Sequence, residues 1–280
     1  DGDTLLKRLG ELVGYASKED ARPVLQGIAL SSSGKDEAVV AVAADGFRLA
    51  WCSLAFKFPE PVKQLVLPGS VVPALQYLWK RGDKVPSVQN PVPVENLNKE
   101  PSLGIAQMVA AKRLIKLQVG KGPMAWEFGG IRLTASPIEG TFPDIQQFLG
   151  QERPNKVVFE ASEGFRALKQ IEAKAHELSS IVVLRWGGQT MRVSTPKDEA
   201  STQIAIANPS DGEGAIGFNI KYLLKLLSKK EGRVLMESSG PGQAASFTFR
   251  EGPDVLLMPM FIGGQEKPAP TEEAPEPSVS

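Results

Sequence analysis

Apolar residues recur at intervals of three and four positions in four segments of the chain, which is the pattern of an amphipathic helix. The predicted helices span residues 4–17, 69–81, 163–176 and 220–230. Asp3, Ser162 and Asn219 are the expected N-caps of the first, third and fourth helix, because their side chains can accept a hydrogen bond from a backbone N–H there.

Shorter apolar or alternating runs lie between and after these helices and predict strands. In the first half they span residues 24–30, 38–44, 114–119, 126–128 and 131–135. In the second half they span residues 156–160, 181–186, 190–194, 233–237, 245–249 and 255–260. Both halves therefore run helix, strands, helix, strands, which indicates a weak internal repeat of an α+β domain.

The spacing of matching positions places an insertion in the first half. Pro68 matches Phe218 at an offset of 150 residues, whereas Ile131 matches Val255 at an offset of 124, so the first half holds about 26 extra residues. We predict one domain at 1–150 with an insertion near the proline-rich stretch 85–107, and a second domain at 151–262. Residues 263–280 contain four prolines and four glutamates and predict a disordered acidic tail.

The second half opens with the predicted strand 156–160, directly before its first helix. The first half shows no such strand before its own first helix. We therefore expect the native gene product to extend upstream of Asp1 by at least one strand.

Composition excludes several classes of function. The chain has 280 residues, of which 42% are hydrophobic and 23% charged, as in ordinary globular proteins. The longest apolar run, residues 38–44, is too short to span a membrane. One cysteine and one histidine exclude an internal disulfide and the common Cys or multi-His metal sites.

No secretory signal opens the chain, so a reducing cytoplasm is expected. No phosphate-binding or dinucleotide motif appears, and we expect no metal and no cofactor.

Three stretches carry more than periodicity: ARPVLQGIAL at 21–30 with VAADGFRLA at 42–50, IEGTFPDIQQFL at 138–149, and IGFNIKYLLKLL at 216–227 with VLLMPMFI at 255–262. In this order and spacing they resemble the second and third domains of the bacterial DNA polymerase III sliding clamp, the β subunit. The resemblance implies tandem DNA-clamp domains, each with two helices packed on two antiparallel sheets. In the family, six such domains close a ring around duplex DNA, as a dimer of three-domain chains. Three chains of two domains could close the same ring, and the sequence does not distinguish these two assemblies.

The resemblance also implies a groove between the second and third domains, in which family members bind short linear motifs of partner proteins. The matching positions are Leu25, Ala44, Gly46, Phe47, Arg48, Leu49, Pro143, Gln147, Phe148, Leu256, Leu257, Met258, Pro259 and Met260. Ala44 stands where the family usually has threonine, Phe47 where histidine is common, and Phe261 where arginine is common. Gln147 stands where a basic residue is frequent. The groove should therefore be more apolar than usual. The alternative is that these are core residues, and that Arg48 pairs locally with Asp45.

Basic residues on the predicted helices are the candidates for sequence-independent contact with DNA phosphates. The candidates are Lys7, Arg8, Arg22, Arg166, Lys169, Lys221, Lys225 and Lys229. The last three lie at four-residue spacing and predict one exposed stripe. A solvated helix face is the alternative, and the helix at 69–81 carries no positive charge before Lys80 and Arg81. The formal net charge of the chain is zero, so any DNA site must be local.

The preferred function is a non-enzymatic processivity factor that encircles duplex DNA as a homo-oligomeric ring. It would tether the replicative polymerase, the clamp loader and repair proteins through short motifs, with no membrane partner. The alternative is a clamp-derived module that binds peptides without encircling DNA. An enzyme is disfavoured because Cys52 is expected to be a buried thiol, with no histidine placed to serve it, and His176 lies at a helix end.

Overall fold

The computed structural model describes residues 2–32, 38–58, 61–82, 115–119, 122–149, 151–208 and 212–262. The chain divides into two compact units. Unit 1 comprises Asp1–Gln146 and Gly252–Asp254, and unit 2 comprises Gln147–Glu251 and Val255–Ser280. The predicted insertion at 85–107 and the predicted tail at 263–280 lie outside the described residues. No helix in the described part of the chain is long and apolar enough to cross a membrane.

Unit 1 contains two long helices and two antiparallel sheets. Its helices are α1 (Gly2–Val13) and α2 (Val71–Gly82), with a 3-10 helix at Pro23–Gln26. Its strands are β1 (Gly27–Ser32), β2 (Val39–Ala44), β3 (Arg48–Leu54), β4 (Val62–Pro68), β5 (Lys116–Gln118), β6 (Met124–Phe128) and β7 (Ile131–Ala135). One sheet has the strand order β4-β1-β2-β3 and the other β5-β6-β7.

Unit 2 repeats this arrangement. Following a four-residue helix, α3 (Gln146–Leu149), its helices are α4 (Ala161–Leu178) and α5 (Ile220–Leu227). Its strands are β8 (Asn155–Glu160), β9 (Ile181–Gly187), β10 (Thr190–Ser194), β11 (Ser201–Ala205), β12 (Gly214–Asn219), β13 (Arg233–Ser238), β14 (Ala245–Phe249) and β15 (Asp254–Leu257). The strand orders are β11-β10-β9-β12 and β15-β14-β13-β8. In both units a helix precedes four strands, a second helix and three strands, so the α+β fold class predicted from the sequence is confirmed.

The two helices of each unit approach closely because small residues lie between them. A Cβ added at Gly10 of α1 would come within 2.3 Å of the Gln76 side chain of α2, and Gln76 Nε2 donates to the Leu6 carbonyl at 3.0 Å. In unit 2, a Cβ at Gly164 of α4 would lie 3.0 Å from Leu227 of α5. The apolar faces of these helices are buried, as their spacing predicts.

Two of the three predicted helix caps are wrong and one is confirmed. Asp3 lies inside the first turn of α1, where its carboxylate accepts a hydrogen bond from Trp79 Nε1 at 2.7 Å, so it does not cap the helix. Helix α4 begins at Ala161 after Glu160, and the predicted cap Ser162 lies within it. Asn219 is confirmed as the cap of α5, since its side chain accepts from the Lys221 N–H.

The strand predicted at 24–30 begins only at Gly27. Residues Pro23–Gln26 form a 3-10 helix instead. The fixed φ of proline and its missing N–H suit the first turn of a helix better than a paired strand.

Candidate functional site

The turn between β2 and β3 carries the predicted peptide-binding residues Gly46 and Phe47, and Arg48 begins β3 directly after it. Asp45 Oδ1 accepts hydrogen bonds from the backbone N–H groups of Phe47 and Arg48, at 3.0 and 2.9 Å. Gly46 has a φ of +89°, in the region that favours glycine. Phe47 lies at the tip of the turn with 53% of its surface exposed.

Arg48 points away from the solvent and towards α1. Its Nε and Nη2 donate to Asp45 Oδ2 at 2.9 and 2.5 Å, as the local-pairing alternative predicts. Its guanidinium carbon lies 5.1 Å from the centre of the Tyr15 ring. Tyr15 is itself buried, and burial is the main reason that its pKa rises to about 12, so its hydroxyl stays protonated.

The other predicted peptide residues of unit 1 differ in their accessibility. Leu25 and Ala44 are buried, Leu49 is half-buried and Pro143 is exposed. Leu25 and Ala44 are therefore core residues in this structure, whereas Phe47 and Pro143 offer accessible surface.

In unit 2, the segment that follows β15 lies over strand β12. The Met260 N–H donates to the Gly217 carbonyl of β12 at 2.8 Å. A Cβ at Gly217 would lie 2.3 Å from Ile262 Cγ2 and 2.8 Å from the Met260 carbonyl oxygen, so only glycine fits here without displacing the segment. Met258 and Phe261 are held in this segment with 44% and 54% of their surface exposed.

Leu256 and Leu257 precede this segment and are buried, so they are core residues of β15. Pro259 and Met260 are half-buried. The accessible apolar surface of the segment therefore belongs mainly to Met258 and Phe261.

Gln147 is exposed and Phe148 is half-buried at the start of unit 2. The backbone there is held by Arg153, a buried residue that sequence analysis did not single out. Its Nη2 donates to the Phe148 carbonyl at 2.9 Å and its Nε to the Ala244 carbonyl at 3.3 Å. Desolvation lowers the pKa of this guanidinium. A lone arginine in a loop gives no periodic signal, so only the fold could identify this role.

Three of the candidate DNA-binding residues are paired with a glutamate three positions away on the same helix. Arg8 lies 3.6 Å from Glu11 on α1. On α4, Arg166 lies 3.9 Å from Glu163, and Lys169 lies 2.7 Å from Glu172. Each pair reduces the positive potential that a phosphate would meet. Lys7 on α1 and Arg22 before the 3-10 helix are exposed.

Helix α5 is the more basic surface of unit 2, but the predicted stripe of three lysines is wrong at its last member. Lys221 and Lys225 are exposed on the helix. The helix ends at Leu227, and Lys229 follows it with a φ of +59°. The C-cap residue Ser228 has extended backbone angles, φ −60° and ψ 128°, so the helical spacing is already lost before Lys229.

Helix α2 ends with a basic cluster that includes an aromatic residue. Lys80 and Arg81 are exposed, and the Arg81 guanidinium lies 4.5 Å from the centre of the Tyr77 ring. Tyr77 itself is 55% exposed. Sequence analysis noted both basic residues but not Tyr77.

Cys52 and His176 lie as expected. Cys52 is a free, buried thiol, and burial raises its pKa to about 11, so it is protonated at neutral pH. His176 Nδ1 lies 3.0 Å from Ser180 Oγ at the end of α4. Within the described ranges, no three His, Cys, Asp or Glu side chains are grouped to hold a metal ion.

Comparison with known proteins adds independent findings. The family model for the central domain of the DNA polymerase III β subunit matches residues 3–90. The β sliding clamp of Escherichia coli K12 is 26% identical over 233 residues, which cover 80% of this chain and 53% of that protein. The chain thus spans about half the length of the curated relatives it matches.

Solved structures agree with the fold. The DNA polymerase III subunit β of Pseudomonas aeruginosa gives a TM-score of 0.73 at 20% identity, over 92% of this chain and 64% of that one. The Helicobacter pylori β clamp, solved with a DNA ligase peptide bound, gives 0.68 at 17% identity, over 92% and 63%. The shared order of elements, the central-domain match and the similarity across most of the chain confirm the resemblance seen in the sequence: the chain is similar to the bacterial DNA polymerase III β sliding clamps.

Proposed function

We propose that the chain is part of a DNA sliding clamp, a processivity factor that tethers the replicative polymerase and other proteins to duplex DNA. The observation that carries the proposal is the ordered match to clamp proteins across both units, together with a TM-score of 0.73 to a clamp subunit. Tethering raises the local concentration of a polymerase at its template and requires no catalytic group of its own. The proposed role is therefore not enzymatic.

The proposed DNA contacts are phosphate contacts from exposed basic residues on helices. Lys221 and Lys225 on α5 are the strongest candidates, because both are exposed and lie one helical turn apart on the same helix. Lys80 and Arg81 at the end of α2 are a second group. Arg8, Arg166 and Lys169 are weaker candidates, since each lies beside a glutamate. Such contacts are independent of sequence, as a protein that slides along DNA requires.

The proposed partner-binding surfaces are the exposed apolar groups in each unit. Unit 1 offers Phe47 at the tip of a rigid turn, and unit 2 offers Met258 and Phe261 on a tethered segment. Apolar and methionine-containing surfaces suit short peptides of varied sequence. The DNA ligase peptide bound to the H. pylori clamp supports this class of partner. Polymerase and clamp-loader peptides are proposed on the same grounds, as is assembly of several copies into a closed ring.

The alternative, a module that binds peptides without encircling DNA, makes a different prediction for polymerase activity. We expect the full-length protein, with clamp loader and ATP, to lengthen the products of the replicative polymerase on singly primed circular DNA. A matched reaction without the loader is the control. Peptide binding with no change in product length would favour the module over the clamp.

A further inference from the structure

We propose that Asp45, Arg48 and Tyr15 act together as positioning residues that fix Phe47 in its exposed, peptide-binding orientation. Arg48 then acts through the turn and makes no contact with the partner peptide, although its place in the family motif would imply such a contact. This inference rests on the proposed peptide-binding function and concerns how unit 1 presents its part of that site.

The Asp45 carboxylate accepts four hydrogen bonds in the turn. Its Oδ1 accepts two bonds, from the backbone N–H groups of Phe47 and Arg48. Its Oδ2 accepts two more, from Nε and Nη2 of the Arg48 side chain. The Asp45 N–H also donates to the Arg48 carbonyl at 3.1 Å, which closes the turn. One carboxylate therefore joins both ends of the turn that carries Phe47.

Arg48 is itself held by burial and by an aromatic contact. Its side chain is 8% exposed, and that of Asp45 is 14% exposed, so the ion pair is largely shielded from water. The guanidinium lies 5.1 Å from the Tyr15 ring centre, within the range of a cation–π contact. Tyr15 follows the end of α1, and its N–H donates to the Leu12 carbonyl at 2.8 Å. The turn is thereby linked to the end of a helix that belongs to the core of unit 1.

Phe47 is far more exposed to solvent than Asp45 and Arg48. Phe47 is 53% exposed, although its neighbours in the turn are held by buried groups. A mobile aromatic side chain on a flexible turn would lose conformational entropy when a peptide bound it. A turn already held by Asp45 avoids much of that loss, so the network should raise affinity without touching the peptide.

The substitutions separate a positioning role from a charge contact. Arg48→Lys keeps the positive charge but cannot supply the Nε and Nη2 donors to one carboxylate oxygen. Arg48→Met removes both the charge and the donors. If Arg48 positions the turn, both variants should weaken peptide binding by a similar factor, about tenfold. If Arg48 contacts an acidic peptide group, Arg48→Lys should retain most of the affinity.

Tyr15 provides a second matched pair. Tyr15→Phe keeps the ring beneath the guanidinium and should bind peptide like the wild type, whereas Tyr15→Leu should weaken binding. Arg132→Met is the general control, because Arg132 forms an ion pair with Glu127 at 2.6 Å in the same unit but outside the turn. Thermal melts of every variant exclude loss of folding.

The experiment has two readouts on the full chain. Backbone 15N relaxation measures the order of Gly46 and Phe47 without any ligand, and fluorescence polarisation measures binding of a labelled DNA ligase peptide. We expect Arg48→Met and Arg48→Lys to lower the order parameters of the turn and to weaken binding alike. Unchanged order parameters in both variants would overturn the inference. If the turn loosens but the wild type fails to bind the peptide, the positioning network stands and the proposed peptide-binding function fails.

Discussion

At the scale of single residues, Gly217 allows the segment that carries Met258 and Phe261 to lie against strand β12. The closest atoms to an added Cβ are Ile262 Cγ2 at 2.3 Å and the Met260 carbonyl oxygen at 2.8 Å. The carbonyl belongs to the backbone and cannot rotate away as a flexible side chain would. Any side chain at this position must push the segment that carries Met258 and Phe261 off strand β12.

We therefore predict that Gly217→Ala lowers the melting temperature and weakens peptide binding, with a loss of stability of about 1–3 kcal/mol from overpacking. Gly212→Ala, just before the same strand, is the matched control because no atom lies within 4 Å of its added Cβ. Differential scanning fluorimetry and peptide titration provide the measurements. Equal behaviour of the two variants would contradict the proposed tethering of the segment.

Because Cys52 and Tyr15 are buried, the stability of unit 1 should fall as pH rises through the alkaline range. Burial raises the pKa of Cys52 from 9.0 to about 11 and that of Tyr15 from 10.0 to about 12. The folded state keeps these protons longer than the unfolded state does. Their contribution to stability is therefore complete below pH 9 and is lost as pH rises towards 11 and 12.

We expect the free energy of unfolding, measured with urea, to fall between pH 9 and pH 11. The double variant Cys52→Ala, Tyr15→Phe should show a shallower decline, because neither group can then lose a proton. An identical pH dependence in the wild type and the double variant would mean that these two groups are not the source.

At the scale of whole elements, α5 ends at Leu227, although the four-residue spacing of its lysines continues to Lys229. Lys229 has a φ of +59°, which costs a residue with a Cβ about 1–2 kcal/mol. We predict that Lys229→Gly raises the free energy of unfolding by about 0.5–1 kcal/mol, whereas Lys225→Gly within α5 lowers it by about 1 kcal/mol. Chemical denaturation of both variants tests this, and a loss of stability on Lys229→Gly would mean that the left-handed turn is not formed.

The exposed basic residues of α4 and α5 should contribute unequally to the binding of DNA phosphates. Replacing Lys221 and Lys225 together by alanine should reduce the slope of log affinity against log salt by roughly 0.9 for each phosphate that the protein no longer neutralises. Replacing Arg166 and Lys169 should reduce it less, because both lie beside glutamates on α4. Fluorescence anisotropy with duplex DNA measures both slopes, and a larger effect from the α4 pair would contradict this ranking.

Sequence periodicity located the helices and most strands because burial of one face imposes a fixed spacing. It placed α5 correctly at its start, since Asn219 carries the capping oxygen itself, but extended the helix to residue 230. Polar residues at the end of a helix carry no apolar signal for where it stops. The prediction of Ser162 as a cap was wrong for a related reason. Many polar residues can cap a helix, and the backbone conformation decides at which residue the helix begins.

The candidate site was predictable only in part. The local pair of Arg48 with Asp45 could be inferred from a separation of three residues, and the structure contains it. The contact of Arg48 with Tyr15 could not, because it joins positions 33 residues apart in the sequence. Arg153 was missed for the same reason, since the carbonyl it binds at Ala244 is distant in sequence.

At the scale of the whole molecule, we propose that the protein holds DNA by encircling it. Ionic contacts alone would retain a protein on any duplex of sufficient length, and salt would weaken them on circles and linear DNA alike. A closed ring is retained by topology and leaves DNA only where an end is available.

The most direct test therefore compares retention on one DNA before and after it is cut. The labelled full-length protein is loaded on a nicked circular plasmid with clamp loader and ATP, and gel filtration measures how much elutes with the DNA at elevated salt. We predict that the protein stays with the circle and is released when a single restriction cut linearises it. Equal retention on the circular and the linear plasmid, or none on either, would contradict the account.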